Sequence, residues 1–131
     1  PRGPDQVPRY LRGFDVATVP YRLTDYTGHV YPAKLNEYLA MGLAVVATPL
    51  SEIERFNRTH GPVIRVAADA AGFESAVAAE LSRPDPAAVA RRVAVANENS
   101  WAARLELMSS LIDASLARRM DHDTCAASPA S

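Results

Sequence analysis

The stretch Tyr31-Pro-Ala-Lys-Leu-Asn-Glu-Tyr-Leu-Ala-Met-Gly-Leu-Ala-Val-Val-Ala-Thr-Pro-Leu50 decides how this chain is read. Pro32 suits the first turn of a helix, because a first-turn N–H has no intrahelical partner to lose. Leu35, Tyr38 and Leu39 then recur at i, i+3 and i+4, an inward stripe at helical period. Gly42 supplies the left-handed residue at which helices commonly stop. The spacing predicts a helix over 32–41. Leu43-Ala-Val-Val-Ala47 is a continuous apolar run of strand length, the pattern of a parallel strand covered on both faces. Thr48-Pro49 makes the next turn.

The same grammar extends outward in both directions. Upstream, Asp5 is placed to cap a short helix carrying Val7, Tyr10 and Leu11, with Gly13 ending it. Phe14–Val19 reads as a short buried strand, which Pro20 terminates since proline cannot donate to a ladder. Residues 21–31 are polar, contain glycine and show no period, so they form a loop at a strand's carboxyl end. Downstream, Ser51 and Glu54 have capping-box spacing for a helix through Phe56. Gly61-Pro62 breaks it, and Val63–Val66 is a third strand. Asp69 caps a helix bearing Phe73, Val77 and Leu81. Asp85-Pro86 opens the next helix, to about Ala96. Ser100 opens the last, with Trp101, Leu105, Met108, Ile112 and Leu116 on one stripe.

Alternating helices and strands imply βαβ units and an α/β fold. The expectation is a Rossmann-like parallel sheet with flanking helices. Three visible strands are fewer than the five or six usual in such domains, so the sheet reads as an incomplete, C-terminal half. Residues 1–120 form this segment and 121–131 read as a disordered tail. The opening Pro-Arg-Gly-Pro, without an initiator methionine or a signal-peptide pattern, suggests a chain cut from a longer protein.

Composition narrows the function classes. The chain has 131 residues, 48% of them hydrophobic and 22% charged, which excludes a disordered protein. A net charge of −1 gives no electrostatic footprint for nucleic acid. No apolar run reaches the length of a membrane span, and the expected location is cytoplasmic. Cys125 has no second cysteine to pair with. Of the 14 basic residues all but one are arginine, which makes Lys34 unique in the chain.

Lys34 and Glu37 are neighbours on the first turns of the expected helix. Ligands of open α/β sheets sit outside the strands' carboxyl ends, where the loop at 20–32 lies. A helix amino end favours phosphate, and Lys34 adds a point charge. One turn deeper, Glu37 would repel phosphate but accept hydrogen bonds from sugar hydroxyls. Phosphate followed by hydroxyl is the order along a nucleotide. The plain alternative is a surface Lys–Glu pair.

Phe14-Asp-Val-Ala-Thr-Val-Pro-Tyr21 followed by 31–50 resembles the nucleotide-sugar-binding half of GT-B glycosyltransferases, and is most similar to the retaining enzymes of family 4. Their pattern runs P-x-K-x-x-E-y-l-A-x-G-x-P-V-V-a-T, and this chain departs from it at Ala44, where the family usually has proline. Val63–Asp69 and Asn99-Ser-Trp-Ala-Ala-Arg104 resemble that domain's last strand and closing helix.

The resemblance implies that Glu37 binds the donor ribose. It implies that Val30 and Tyr31 offer backbone N–H groups to the pyrophosphate and that Lys34 lines the donor near diphosphate and ribose. His29 stands where many members carry a glutamate facing the transferred sugar. It is the candidate catalytic-position residue, able to hydrogen-bond but without a fixed negative charge. The family's diphosphate-clamping Arg and Lys have no counterpart here and, with the acceptor domain, would lie upstream. The implied partners are a nucleotide diphosphate sugar and an acceptor glycan, lipid or small molecule. No cofactor and no metal are expected, in keeping with the lack of metal-ligand spacing among His, Cys and Asp. A non-catalytic nucleotide-binding or scaffold module is the alternative.

The remaining candidates read more plainly. His60 reads as a surface turn residue and His122 as a tail residue. Arg22 and Asp25 are loop charges that could reach donor or acceptor, and Asp15 begins a strand. Trp101 reads as helix packing. Arg91-Arg92 and Arg118-Arg119 read as solvated helix faces, with a weaker reading of the last pair against anionic lipid head groups. Asn57-Arg-Thr59 matches a glycosylation sequon, which carries meaning only in a secreted chain.

Overall fold

Val16–Val19 (β1), Ala44–Ala47 (β2) and Arg65–Val66 (β3) form one sheet in a computed structural model that describes residues 3–82 and 85–126. The strands are parallel in the order β1-β2-β3, with Val16 opposite Ala44, Val19 opposite Ala47, and Val46 opposite Arg65. All four β2 residues are buried, as a central parallel strand requires. This is the α/β, partial Rossmann-like sheet that the alternation of elements implies.

The chain divides into two compact units, residues 1–98 and 99–131. In the first unit the helices are α1 (Val7–Leu11), α2 (Leu35–Ala40), α3 (Ser51–His60), α4 (Ala70–Ser82) and α5 (Pro86–Glu98). Its core gathers Leu35, Leu39, Val45, Leu50, Ile53 and Val95, all nearly inaccessible to solvent. The second unit is the single helix α6 (Trp101–Ala126).

Several caps agree with the sequence. The Asp69 carboxylate accepts from the Gly72 amide at 2.7 Å, and that of Asp85 from the Ala87 amide at 2.9 Å. Ser100 Oγ accepts from the Ala103 amide at 3.2 Å. Each satisfies an amide that the first helical turn leaves unpaired.

Other expectations give way. Asp5 lies inside a 3-10 turn, Pro4–Gln6, and Gln6 stands at the α1 cap without a side-chain bond. Ser51 is the first residue of α3 rather than its cap, and α3 continues past Phe56 to His60. The Ser51 hydroxyl instead donates to the Gly28 carbonyl at 2.6 Å. Leu81 is exposed although it shares a period with Phe73 and Val77. In α6, Trp101, Leu105, Met108, Ile112 and Leu116 recur at helical spacing along one face. The helix is assigned through Ala126; residues 127–131 of the segment read as tail, and the side chains of His122 and Cys125, lie outside the described residues.

Two positions required tertiary structure to interpret. Arg92, expected on a solvated face, is buried on α5. Its Nε donates to the Gly42 carbonyl at 3.1 Å, and Nη1 lies 3.9 Å from Glu80, which also pairs with Arg65 at 2.7 Å. His60, expected as a plain surface residue, packs its ring 4.6 Å from that of Phe56. Its Nδ1 is 3.4 Å from Glu98, and its carbonyl accepts from Arg91 at 2.7 Å. Long guanidinium side chains reach across helix packings, so helical periodicity alone misreads them.

Candidate functional site

The candidate residues lie on the segment linking the carboxyl end of β1 to α2. After Pro20 the chain has no regular structure to residue 24, turns, and enters a short 3-10 helix at Thr27–His29. The α-helix begins later than the proline suggests. Pro32 starts a turn closed by the Leu35 amide on its carbonyl at 3.0 Å, and α2 proper is the six residues Leu35–Ala40. Lys34 is therefore the residue capping α2, not a residue within it. So short a helix carries a small dipole, and positive charge at this end rests on the Lys34 ammonium.

Burial of Leu35 and Leu39 fixes the orientation of α2 and leaves Lys34 and Glu37 exposed. Among the described residues no ion pair involves either of them. The simple surface-pair reading thus lacks its contact, and both charges are available to a third party. His29 is likewise exposed, at the end of the 3-10 turn.

The two residues expected to offer amides differ from that expectation in their surroundings. The Val30 amide donates to the Thr27 carbonyl at 3.1 Å, closing the 3-10 turn. A phosphate could claim that N–H only by opening the turn. Tyr31 is half-buried; its hydroxyl donates to Asn36 Oδ1 at 3.2 Å and its ring lies 6.4 Å from that of Phe56. Tyr31 thereby ties the loop both to α2 and to α3.

The far end of α2 is fixed as firmly. The Gly42 amide donates to Leu39 and the Leu43 amide to Tyr38, at 2.9 and 3.1 Å, the paired bonds of a glycine-terminated helix. Gly42 has φ +73°, and a Cβ there would meet Val89 Cγ1 at 2.7 Å. Close packing of α2 on α5 therefore sets the height at which Lys34 and Glu37 stand beside the sheet.

Sequence reasoning missed the loop's bracing. Thr24 and Thr27 exchange backbone-to-hydroxyl bonds at 2.9 and 3.1 Å, and Thr27 Oγ1 also donates to the Arg22 carbonyl. With the Ser51–Gly28 bond, these hold the loop across the carboxyl edge of β1 and β2. The threonine spacing i, i+3 was the available signal. Among the described residues no group of three or more His, Cys, Asp or Glu side chains could hold a metal. None of the described helices is long and apolar enough to cross a membrane.

An open parallel sheet of this kind takes its ligands outside the carboxyl ends of its strands, where these charged groups stand. Residues 2–83 match the family Glycosyl transferases group 1, and the chain belongs to that family. It is also similar to TuaH of Bacillus subtilis strain 168, a glycosyltransferase assigned provisionally to teichuronic acid biosynthesis. The two are 35% identical over 60 residues, covering 46% of this chain and 15% of TuaH. The matched part thus spans less than a sixth of that relative. No solved structure matches the chain.

Proposed function

We propose that this chain is the donor-binding segment of a retaining GT-B glycosyltransferase of family 4, taking a nucleotide diphosphate sugar as donor. The observation that carries the reading is the exposed Lys34 and Glu37, in no ion pair among the described residues and one turn apart at the sheet's carboxyl edge, in a chain of this family.

In this reading Lys34 stabilises charge developing on the leaving diphosphate. A fixed positive group acts there without reorganising as the bond breaks. Glu37 accepts hydrogen bonds from the ribose hydroxyls and so holds the anomeric carbon in place. His29, and the amides of Val30 and Tyr31 once the 3-10 turn opens, lie along the path between sugar and diphosphate. The bond from the anomeric carbon to the diphosphate oxygen breaks as the acceptor oxygen bonds on the same face. The acceptor's proton passes to the leaving phosphate oxygen. The acceptor is a glycan, lipid or small molecule, held by a domain beyond this chain.

Calorimetric titration with UDP-, GDP- and ADP-sugars tests the reading. Glu37→Ala is expected to weaken the binding of whichever donor is recognised by about tenfold or more, the value of a charge-assisted hydrogen bond. Because Glu37 is exposed, its stability effect should stay within about 0.5 kcal/mol. Unchanged affinity in Glu37→Ala would overturn it. The engaged Val30 amide favours a second reading, a scaffold module that no longer takes donor, and absence of binding to every sugar nucleotide would support that instead.

A further inference from the structure

The loop that carries His29 has a feature for which the donor reading has no use. Tyr21, Leu23 and Tyr26 are exposed along it, and Tyr26 is the most open aromatic ring among the described residues, at 81%. An exposed ring on a loose loop would mean little. This loop is not loose: Thr24 and Thr27 bracket Tyr26 with reciprocal bonds, and Ser51 fastens the next residue but one, Gly28, to α3. The backbone under Tyr26 is therefore set before any ligand arrives, which lowers the ordering cost of binding. A tyrosine adds large, flat contact area for only two side-chain torsions.

The neighbours narrow the ligand. Arg22 and Asp25 are both exposed on the same short segment. A carboxylate on the same segment as the ring disfavours phosphate but accepts hydrogen bonds from hydroxyls, and a guanidinium donates to them. An exposed aromatic ring on a segment that also carries both kinds of group complements a pyranose, whose faces carry C–H bonds and whose rim carries hydroxyls. The edge of the sheet on which the loop lies is the one where the proposed donor would end in its sugar.

We infer that Tyr26 is a stacking platform for a pyranose ring, with Arg22 and Asp25 addressing the sugar's hydroxyls; this rests on the donor reading above. Tyr26 is a specificity-determining residue in that scheme and takes no part in bond breaking.

The test is NMR of the 131-residue chain with a ¹⁵N-labelled backbone and ¹³C-labelled tyrosine rings, at millimolar ligand. Each nucleotide is compared with its sugar-loaded form: UDP with UDP-glucose, GDP with GDP-mannose, ADP with ADP-glucose. Maltose serves as a saccharide without nucleotide. The Tyr26 ring signal is expected to move with a sugar nucleotide or with maltose and to stay put with the bare nucleotide. A response to the sugar nucleotide assigns the donor's sugar as the source, and a response to maltose assigns the acceptor's. Read by calorimetry, Tyr26→Ala should weaken the affinity for that sugar ligand about three- to tenfold while Tyr26→Phe keeps it.

Movement of the amides of residues 30, 31 and 33–37 with a sugar nucleotide, with Tyr26 unmoved by any sugar, overturns the platform and leaves the donor site standing. A Tyr26 response to bare nucleotide makes the ring a base platform and overturns the assignment to sugar. Silence of both regions toward every nucleotide and sugar overturns the donor reading and this inference together.

Discussion

The Nε–H of Arg92, midway along α5, donates to the carbonyl oxygen of Gly42 at 3.1 Å, joining residues fifty positions apart. The bond anchors the exit of α2 to α5. It thereby holds from behind the short helix whose front presents Lys34 and Glu37.

Arg92→Ala should cost about 2–4 kcal/mol in urea unfolding. It strands a buried carbonyl and removes one of the two guanidiniums that face Glu80. Arg92→Lys should recover part of the loss, since a single ammonium cannot address both acceptors with a planar fork. An Arg92→Ala protein as stable as the parent would mean that the contact contributes nothing.

Gly42→Ala should destabilise by about 1–3 kcal/mol, from a left-handed backbone combined with a forced contact. The two causes separate in a double mutant. Val89→Ala, which removes the methyl group 2.7 Å from the new Cβ, should restore only the steric share. Full rescue would show that the conformation costs little.

Asn57 clamps the backbone of Ile64 from α3: its Nδ2 donates to the Ile64 carbonyl at 2.7 Å and its Oδ1 accepts from the Ile64 amide at 3.1 Å. Asn57→Ala should therefore cost about 1–3 kcal/mol and speed hydrogen exchange at the Ile64 amide. Asn57→Asp keeps the acceptor but sets a carboxylate against a carbonyl, so it should protect that amide and still lose stability. Equal exchange in all three proteins would discount the clamp.

Lys34→Met should weaken nucleotide diphosphate binding, and the difference from the parent should shrink between 20 mM and 500 mM salt. An exposed ammonium acts on phosphate through a screened field. A salt-independent deficit would point instead to altered packing of the loop. Since Lys34 is exposed, its thermal midpoint should not move with the substitution.

Much of this was legible in the chain itself. The α2–β2 unit announced itself through the Leu35/Tyr38/Leu39 stripe, the Gly42 stop and the apolar run to Ala47, because local period and backbone permission are properties of consecutive residues. Asp69, Asp85 and Ser100 were readable as caps for the same reason: each bonds an amide two or three positions away. The parallel order followed from the alternation of elements, and Lys34 and Glu37 drew attention as charges at a strand's carboxyl end.

Tertiary structure decided what depends on partners distant in sequence. Ser51 looks like a cap by spacing, yet its hydroxyl turns to Gly28 across 23 positions of chain. Arg92 looks solvated by type, yet α2 delivers an acceptor and α4 a carboxylate that make its burial tolerable. His60 gains Phe56 from its own helix and Glu98 from another. The Val30 amide, open in a linear reading, is taken by a 3-10 turn. Sequence by itself determined the elements, their parallel order and the two charges that stand at the sheet's carboxyl edge. Only the fold decided which polar groups were already satisfied and which remained for a ligand, because hydrogen-bond partners are set by proximity in space and not along the chain.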